Sequence, residues 1–462
     1  MKRLGRWFGL ATVGMCALGC PGPHEAPADS GTPDAGHKDA GASTGSLALT
    51  VTGLGAVPAN VKVTGPGGYT HDSMGSELLA SLMLGTYTVN ATLVRAPDVL
   101  VDTIYDVPAA AGTAVVAKGT AATVTVAYSR RVGSGLFFVP SPMTGVISAY
   151  DKATLLDGGI NLTHPAKVTL TALLPDGGTW FGPEILALDP AGNLWAGFAD
   201  EGAKVEGLAR FPAASLGATT SLQPDIVLSP ADAGTGRLTI SFPQSMAFDP
   251  QGNLWTANCG KTHGILRLDK AVLTASGAPF GTLWAGAVVE CPGGLAFDKS
   301  GNLWVANCGS NGGIYQFSTA QLTSATTPVP AISIANGTSP YTCPENIAFN
   351  AQGDLLVTEC GTFKGIAKYP AWQLADGGST GTSSDPAVTL THPNLKCPTG
   401  LALDNASNLW AVDYQSKTVT GIPVAQLQDG GVVDPISSIF IPALDYGGPV
   451  FDATPANLPL LH

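Results

Sequence analysis

The sequence predicts an all-β protein whose main body is a six-bladed β-propeller, and three observations carry that prediction. Gly (58) and Pro (35) are abundant while charged residues make up only 12% of the 462 residues, a turn-rich balance with few amphipathic stretches. One segment type recurs five times along the C-terminal two thirds of the chain. The last residues resemble the strand that the first repeat lacks, as a closed ring requires.

The repeats are PEILALDPAGNLWAGF (183–198), PQSMAFDPQGNLWTANCG (243–260), PGGLAFDKSGNLWVANCG (292–309), PENIAFNAQGDLLVTECG (344–361) and PTGLALDNASNLWAVDYQ (398–415). Each reads as an apolar strand, an Asp- or Asn-led turn and a second apolar strand. All but the last carry Gly in the turn, where positive φ is needed. The anchors Asn193, Asn253, Asn302, Asp354 and Asn408 fall 49 to 60 residues apart, which leaves room for two further strands and so for one four-stranded blade each. Near the start, SGLFFVPSPMTGVISAYD (134–151) matches the second and third strands of a blade. GGPVFDATPANLP (447–459) supplies the missing first strand, so the propeller is expected over 131–462, closed by strand 447–459. Trp195, Trp255, Trp304 and Trp410 share one repeat position and are expected to pack between blades.

The N-terminus is an export signal. Lys2, Arg3 and Arg6 precede a short apolar run, Trp7 to Leu18, and then Gly19-Cys20, a pattern too short to span a bilayer. ALGC resembles the lipobox of bacterial lipoproteins, which implies a signal peptide over 1–19 and lipidation of Cys20. Residues 21–45 hold almost no large apolar side chain, so 20–45 is expected to be a disordered tether. No later apolar run reaches the roughly 20 residues of a membrane-spanning helix. The expected location is therefore the bacterial cell envelope, lipid-anchored at the outer membrane or facing the periplasm.

Residues 46–130 carry alternating short strands, LALTVT, NVKVTG, TYTVNATLV and TVTVAYS, expected to form a small β-sandwich of the immunoglobulin or transthyretin sort. LMLGTYTVNATLV resembles a strand pair of carboxypeptidase-regulatory-like modules, with Tyr87 as a packing residue. In the C-terminal region, the LAFD-x-x-G-N-L-W-V-A unit resembles NHL-type propellers and the gluconolactonase and senescence-marker-protein superfamily. That resemblance implies a six-bladed ring and leaves activity to the loops. Streptogramin-lyase-like propellers are similar too, but they usually have seven blades and need a His at the mouth.

Six cysteines remain after Cys16 and Cys20, an even number in an exported chain. Cys259, Cys308 and Cys360 end second strands; Cys291, Cys343 and Cys397 precede first strands. Pairing within a blade would join Cys291 to Cys308 and Cys343 to Cys360 but leave Cys259 and Cys397 apart. Pairing between blades (259–291, 308–343, 360–397) leaves none free and is the expected scheme. No C-x-x-C or nearby His pair favours zinc.

The mouth of the ring is where first strands enter and second strands exit. It is expected to carry Glu184, Gln244, Glu345, Asn346, Asn258, Asn307, Glu359 and Asp413. Such oxygen-rich side chains suit a hard cation, Ca²⁺ or another divalent ion; equally, Asn258, Asn307 and Asp413 suit capping of loop backbone. In gluconolactonase-like enzymes a Glu, Asn and Asp hold a catalytic metal. The resemblance implies Glu184 and Asn346, with Glu345, as metal ligands, while the family's PDG Asp falls on Gly293 or Thr399 and its EGP reads GPE. No G-x-S-x-G, HExxH or phosphate-binding loop occurs, and His164, His263 and His392 lie in loops without partner motifs. The net charge of −12 opposes nucleic-acid binding. The expected function is thus a lipid-anchored, monomeric binding or scaffold module for protein or glycan. The alternative is a metal-dependent lactonase.

Overall fold

The computed structural model describes residues 44–451 apart from loop segments 97–102, 108–110, 133–134, 158, 173–181, 201–204, 231–239, 261–262, 285–288, 309–311, 324–327, 336–342, 376–384, 405 and 445. The expected signal peptide, Cys20 and most of the tether lie outside the described residues, as does 452–459 of the closing strand.

The chain is all-β. Among the described residues, six sheets succeed one another from residue 136 to 451 in a β-propeller arrangement. The second sheet shows the plan: Pro183–Leu188, Leu194–Asp200, Val205–Phe211 and Ile226–Leu228 pair antiparallel in that order. Pro243–Phe248, Pro292–Phe297, Pro344–Phe349 and Pro398–Leu403 open the third to sixth sheets in the same way. These inner strands read as continuous buried runs rather than alternating ones, because they are covered on both faces. Inner strands of consecutive sheets lie side by side, which makes the ring.

The first sheet is assembled from both ends of this region. Leu136–Ser141, Val146–Asp151 and Val168–Ala172 come from its start, while Val450–Phe451 adds to Leu136–Ser141 as the inner strand. The approach to that strand is fixed by backbone bonds: Gly448 N–H donates to the Glu184 carbonyl (3.0 Å), and Leu186 N–H donates to the Gly448 carbonyl (3.2 Å). The fit demands glycine. A Cβ on Gly447 would stand 2.6 Å from Pro140 Cγ, and one on Gly400 would strike the Gly447 carbonyl.

Each repeat turn is tied by one side-chain knot. Asp249 Oδ1 accepts from the N–H groups of Gln251 and Asn253, and its Oδ2 accepts from Asn253 Nδ2 and Trp255 Nε1. Asp189 and Asp298 do the same, and Asp404 binds Asn408 and Trp410 likewise. The Asn then reaches onward: Asn193, Asn253, Asn302 and Asn408 Oδ1 accept the N–H of Ala213, Lys270, Thr319 and Val424, at the short turn after the third strand. Held this way, each indole packs against the next sheet, with Trp195 on Phe248, Trp255 on Phe297, Trp304 on Phe349 and Trp410 on Phe137 at ring-centroid distances of 5.9–6.3 Å. All four indoles are buried.

Outer edges are covered by loans between neighbours. Thr220–Leu222 pairs parallel with the outer strand of the first sheet, Gly431–Val432 with that of the fifth, and Ile160–Leu162 with that of the sixth. Each lent segment comes from the following sheet around the ring, so an edge that would otherwise expose unpaired backbone is capped.

Before the propeller, Thr44–Thr52 lies between Glu77–Met83 (antiparallel) and Ala121–Ala127 (parallel), while Tyr69–Ser73, Val61–Gly65, Gly85–Ala91 and Ala111–Val116 form a second sheet. Leu47, Leu49, Val124 and Val126 of one sheet share a core with Val61, Val63, Tyr87 and Val89 of the other. Tyr87 is fully buried and donates its hydroxyl to the Met83 carbonyl, which is a packing role.

Three disulfides join Cys259 to Cys291, Cys308 to Cys343 and Cys360 to Cys397, with Cα–Cα distances of 4.3–4.5 Å. The pairing is between sheets, third to fourth, fourth to fifth and fifth to sixth. The within-sheet neighbours are close too, but through backbone: Cys308 N–H donates to Cys291 O and Cys360 N–H to Cys343 O.

Deleting residues 447–462 should lower the melting temperature by at least several degrees, since about 2–4 °C accompanies each kcal/mol in a large domain. A truncated protein that melts with the full chain would show that the ring does not depend on this strand.

Candidate functional site

The rim that carries the disulfides also gathers the residues singled out by repeat position. The inner strands of the second to sixth sheets each open with a β-bulge, where one extra residue interrupts the register just after the recurring proline. The extra residues are Glu184, Gln244, Gly293, Glu345-Asn346 (set opposite Thr358 alone) and Thr399. A bulge turns a side chain away from the ladder, so the fold presents one such residue per sheet at this rim. Opposite the bulge prolines of the third to sixth sheets stands the last residue of the second strand: Asn258, Asn307, Glu359 and Asp413.

These positions divide by what they touch. Asn307 Oδ1 accepts the N–H groups of Glu290 and Cys291, both at 3.0 Å. Asp413 Oδ2 accepts Cys397 N–H at 2.6 Å while its Oδ1 takes the N–H and hydroxyl of Ser416. Both are wholly buried and hold the loop that enters the inner strand of their own sheet. Asn258 is equally buried and its Oδ1 accepts from Thr256 Oγ1. Glu184 is bound by Gln244 Nε2 at 2.8 Å, bridging the second and third sheets.

The fifth sheet differs. Glu359 occupies the place of Asn307 and Asp413 but is longer by a methylene or changed in charge, and neither of its oxygens meets a hydrogen-bond donor. Beside it, Glu345 is bound by the hydroxyl of Tyr446, which belongs to the segment that closes the ring. Asn346 Oδ1 and Thr399 Oγ1 are also buried without partners. Burial pushes the Glu345 carboxyl up to about 7. Burial also pushes Glu359 up to about 8; the Cys343 backbone amide opposes the shift and the neighbouring Glu345 charge adds to it. The result is a buried pair of carboxyls that resist ionisation together.

The channel inside this rim is almost filled. Ile185, Met246, Asn346, Leu401, Gly448 and Pro449 line a cavity of ≈20 Å³, room for about one water molecule. Any ligand larger than that must sit on the rim rather than within the ring.

For a hard cation, the oxygens of Glu345, Asn346 and Glu359 are of the right chemistry. Glu184 is paired with Gln244. The one grouping of three potential ligand side chains among the described residues is Cys308, Cys343 and Glu345, but the two sulfurs are joined as a disulfide and offer no thiolate.

Sequence spacing located the rim positions but not their partners. Tyr446 lies 101 residues from Glu345, and nothing local in the sequence marks that contact. The bulge itself had a signal, the recurring Pro-x-x before each apolar run.

No protein-family model matches the chain, and no curated protein matches it. Solved structures of low similarity include virginiamycin B lyase from Staphylococcus aureus (14% identity, 56% of this chain and 70% of that one, TM-score 0.34). A calcium-binding protein, regucalcin, from Agrobacterium tumefaciens aligns at 16% identity over 59% of this chain and 80% of that one, TM-score 0.36. A protein of unknown function from Bacteroides caccae aligns at 13% identity over 66% and 97%, TM-score 0.38.

The raised carboxyls fix a pH dependence. Both folded pKa values exceed the ordinary carboxylate value, so the folded state binds these protons more tightly, and stability falls as pH rises through them. Melting temperature should therefore decline from about pH 4.5, the ordinary Glu value, to about pH 8, above which the carboxyls are ionised in both the folded and unfolded states. Glu359→Gln, which keeps the shape of the protonated form, should flatten the decline; an unchanged slope would remove Glu359 from this role.

Proposed function

We propose that the chain is an exported, lipid-anchored six-bladed propeller that acts as a binding or scaffold module, taking a protein or glycan ligand on its disulfide-bearing rim. The observation that carries this reading is the set of buried acceptor oxygens left without donors at the fifth and sixth sheets: Asn346 Oδ1, both Glu359 oxygens and Thr399 Oγ1. Buried acceptors are normally satisfied, and such a set favours a partner rich in donors, a lysine side chain or sugar hydroxyls. Glu184, Gln244 and Glu345, set on bulges beside it, would extend the contact. Disulfides in the propeller fit an oxidising compartment.

The test is a glycan and peptide array probed with the wild-type protein and with Glu345→Ala and Gln244→Ala. Ligands retained by wild type and lost by both variants support the rim, and retention by both variants would move the binding surface elsewhere. Anchoring is checked separately. Cys20→Ser should shift the protein from the detergent-extracted envelope to the soluble fraction, and unchanged fractionation would remove the lipid anchor.

A second reading draws on the unpartnered Asn346 Oδ1. Asn346 with Glu345 and Glu184 would hold a divalent cation that polarises a lactone carbonyl, as the gluconolactonase resemblance implies. Adding Ca²⁺, Mg²⁺, Mn²⁺ or Zn²⁺ to metal-free protein and assaying a lactone panel separates the two. Metal-dependent turnover abolished by Glu184→Gln would make the enzyme reading correct.

A further inference from the structure

We propose that one end of the small β-sandwich docks on an anionic lipid bilayer, with Met83, Leu84 and Val115 entering the interface beside Lys118. The proposal takes its setting, though not its chemistry, from the lipid anchor at Cys20. Strand register brings these residues to one end. Thr44, which opens Thr44–Thr52, pairs with Met83, which closes Glu77–Met83. Gly85, which opens Gly85–Ala91, pairs with Val116, which closes Ala111–Val116. A turn bridged between Ala117 and Thr120 returns the chain into Ala121–Ala127, whose Ala121 pairs with Ser46.

Composition and exposure set the class of partner. Met83 is 58% exposed, Leu84 40% and Val115 68%. Single exposed apolar side chains are ordinary on a soluble surface. What distinguishes this end is the charge around them. Segments 44–47, 63–70, 81–88 and 111–121 contain no Asp or Glu, and Lys118 is their one charged residue. Lys118 is exposed in the turn after Val116. In a chain of net charge −12, an apolar, carboxylate-free end with one cation suits the headgroup region of an anionic membrane.

The presentation is fixed by the core. Buried Tyr87 donates its hydroxyl to the Met83 carbonyl at 3.1 Å, which holds the connection that carries Leu84. That connection turns at Gly85 (φ 144°), where a Cβ would stand 2.7 Å from Pro66 Cγ. Tyr69, half-buried, meets Tyr87 edge-on at a ring-centroid distance of 5.5 Å, an aromatic of the kind that sits at a water–lipid boundary.

The course of the chain favours a bilayer over a second copy. Thr44 lies at this end, and Cys20 precedes it by 24 residues, so the covalent chain keeps an anchor at Cys20 within about 85 Å of the surface. The continuation toward the propeller leaves from the opposite end of Ala121–Ala127. Met74 is also exposed, but it follows Ser73, which pairs with Val61 at that opposite end.

The test uses the full chain with a nitrobenzoxadiazole label on Met83→Cys, and on Met74→Cys and Met143→Cys as equally exposed controls. Each is mixed with phosphatidylethanolamine–phosphatidylglycerol vesicles containing a doxyl-labelled lipid. The label at 83 should be quenched at least about threefold more than either control, as insertion of that end requires. Lys118→Glu should weaken this docking about fivefold in the anionic vesicles and leave it unchanged in phosphatidylcholine vesicles. Leu84→Asp, with its melting temperature checked, should remove it in both. The comparison is between positions on one protein, so it reads the same whether an acyl chain or this surface brings the protein to the vesicle; failure of the Cys20 anchor is scored separately by fractionation. Equal quenching at the three positions, or quenching at 83 that neither Leu84→Asp nor Lys118→Glu alters, would overturn the proposal. Protection of the 83 label that rises with protein concentration in the absence of vesicles would assign the surface to a second copy instead.

Discussion

The fold depends on a buried aspartate that accepts four N–H bonds inside one tight turn. In water such a carboxylate would be satisfied by solvent; inside the ring the turn must supply every donor. Asp249 does so by drawing on two backbone amides, the Asn253 carboxamide and the Trp255 indole. Hydrogen bonds to a charged group contribute about 1.5–3 kcal/mol each, so the knot sets turn geometry, second-strand start and indole orientation at once. The oriented indole is then the surface on which the next sheet packs. One side chain therefore links local chain reversal to the step between sheets, and repeating it propagates the ring.

The fifth sheet shows what the knot requires by changing its parts. Asn350 stands where the others have Asp, Asp354 where they have Asn, and Leu356 where they have Trp. The negative charge moves to the second position but is not lost. With no indole N–H available, Lys368 takes over as donor: its ammonium lies 3.1 Å from Asp354 Oδ2 and also binds Gln428 of the sixth sheet. It holds the Asp354 carboxyl below its ordinary value, along with the Ala371 and Asn350 hydrogen bonds, against the opposing effect of burial. Lys368 occupies the third-strand place held by Arg210 and Arg267, which lie over Trp195 and Trp255 instead. A cation that elsewhere stacks on the indole here replaces it.

Much of this architecture was legible because it is periodic. Repeated Pro, Asp, Asn, Trp and Cys positions gave the strand order, the interior indoles and the between-sheet sulfur pairing, since one unit's surroundings predict the next's. What stayed hidden is what occurs once. The edge-capping segments at Thr220–Leu222 and Ile160–Leu162 have no repeated sequence signal. Lys152, almost fully buried, pairs with Asp404 at 3.7 Å across a separation no local pattern spans. At the rim, spacing named Asn307, Glu359 and Asp413 as equivalents, yet it could not distinguish a side chain that caps a loop from one left without a donor. That difference turns on a single side-chain length set against one backbone amide.

The stapling of the ring follows the same division between periodic and singular. Disulfides cross three consecutive steps, third sheet to sixth. The step from sixth to first sheet joins the two ends of the chain and has no cysteine. It is held instead by Val450–Phe451 in the first sheet, the lent strand Ile160–Leu162 on the sixth, and the buried Lys152–Asp404 pair. A buried ion pair contributes little over a well-packed apolar substitute, but removing one partner is costly because the other charge is left in low dielectric. Here that other charge is Asp404, the centre of the sixth sheet's knot. Ring closure and repeat geometry therefore share one carboxylate, and disturbing the seam from the first-sheet side acts directly on the turn that orients Trp410 against Phe137.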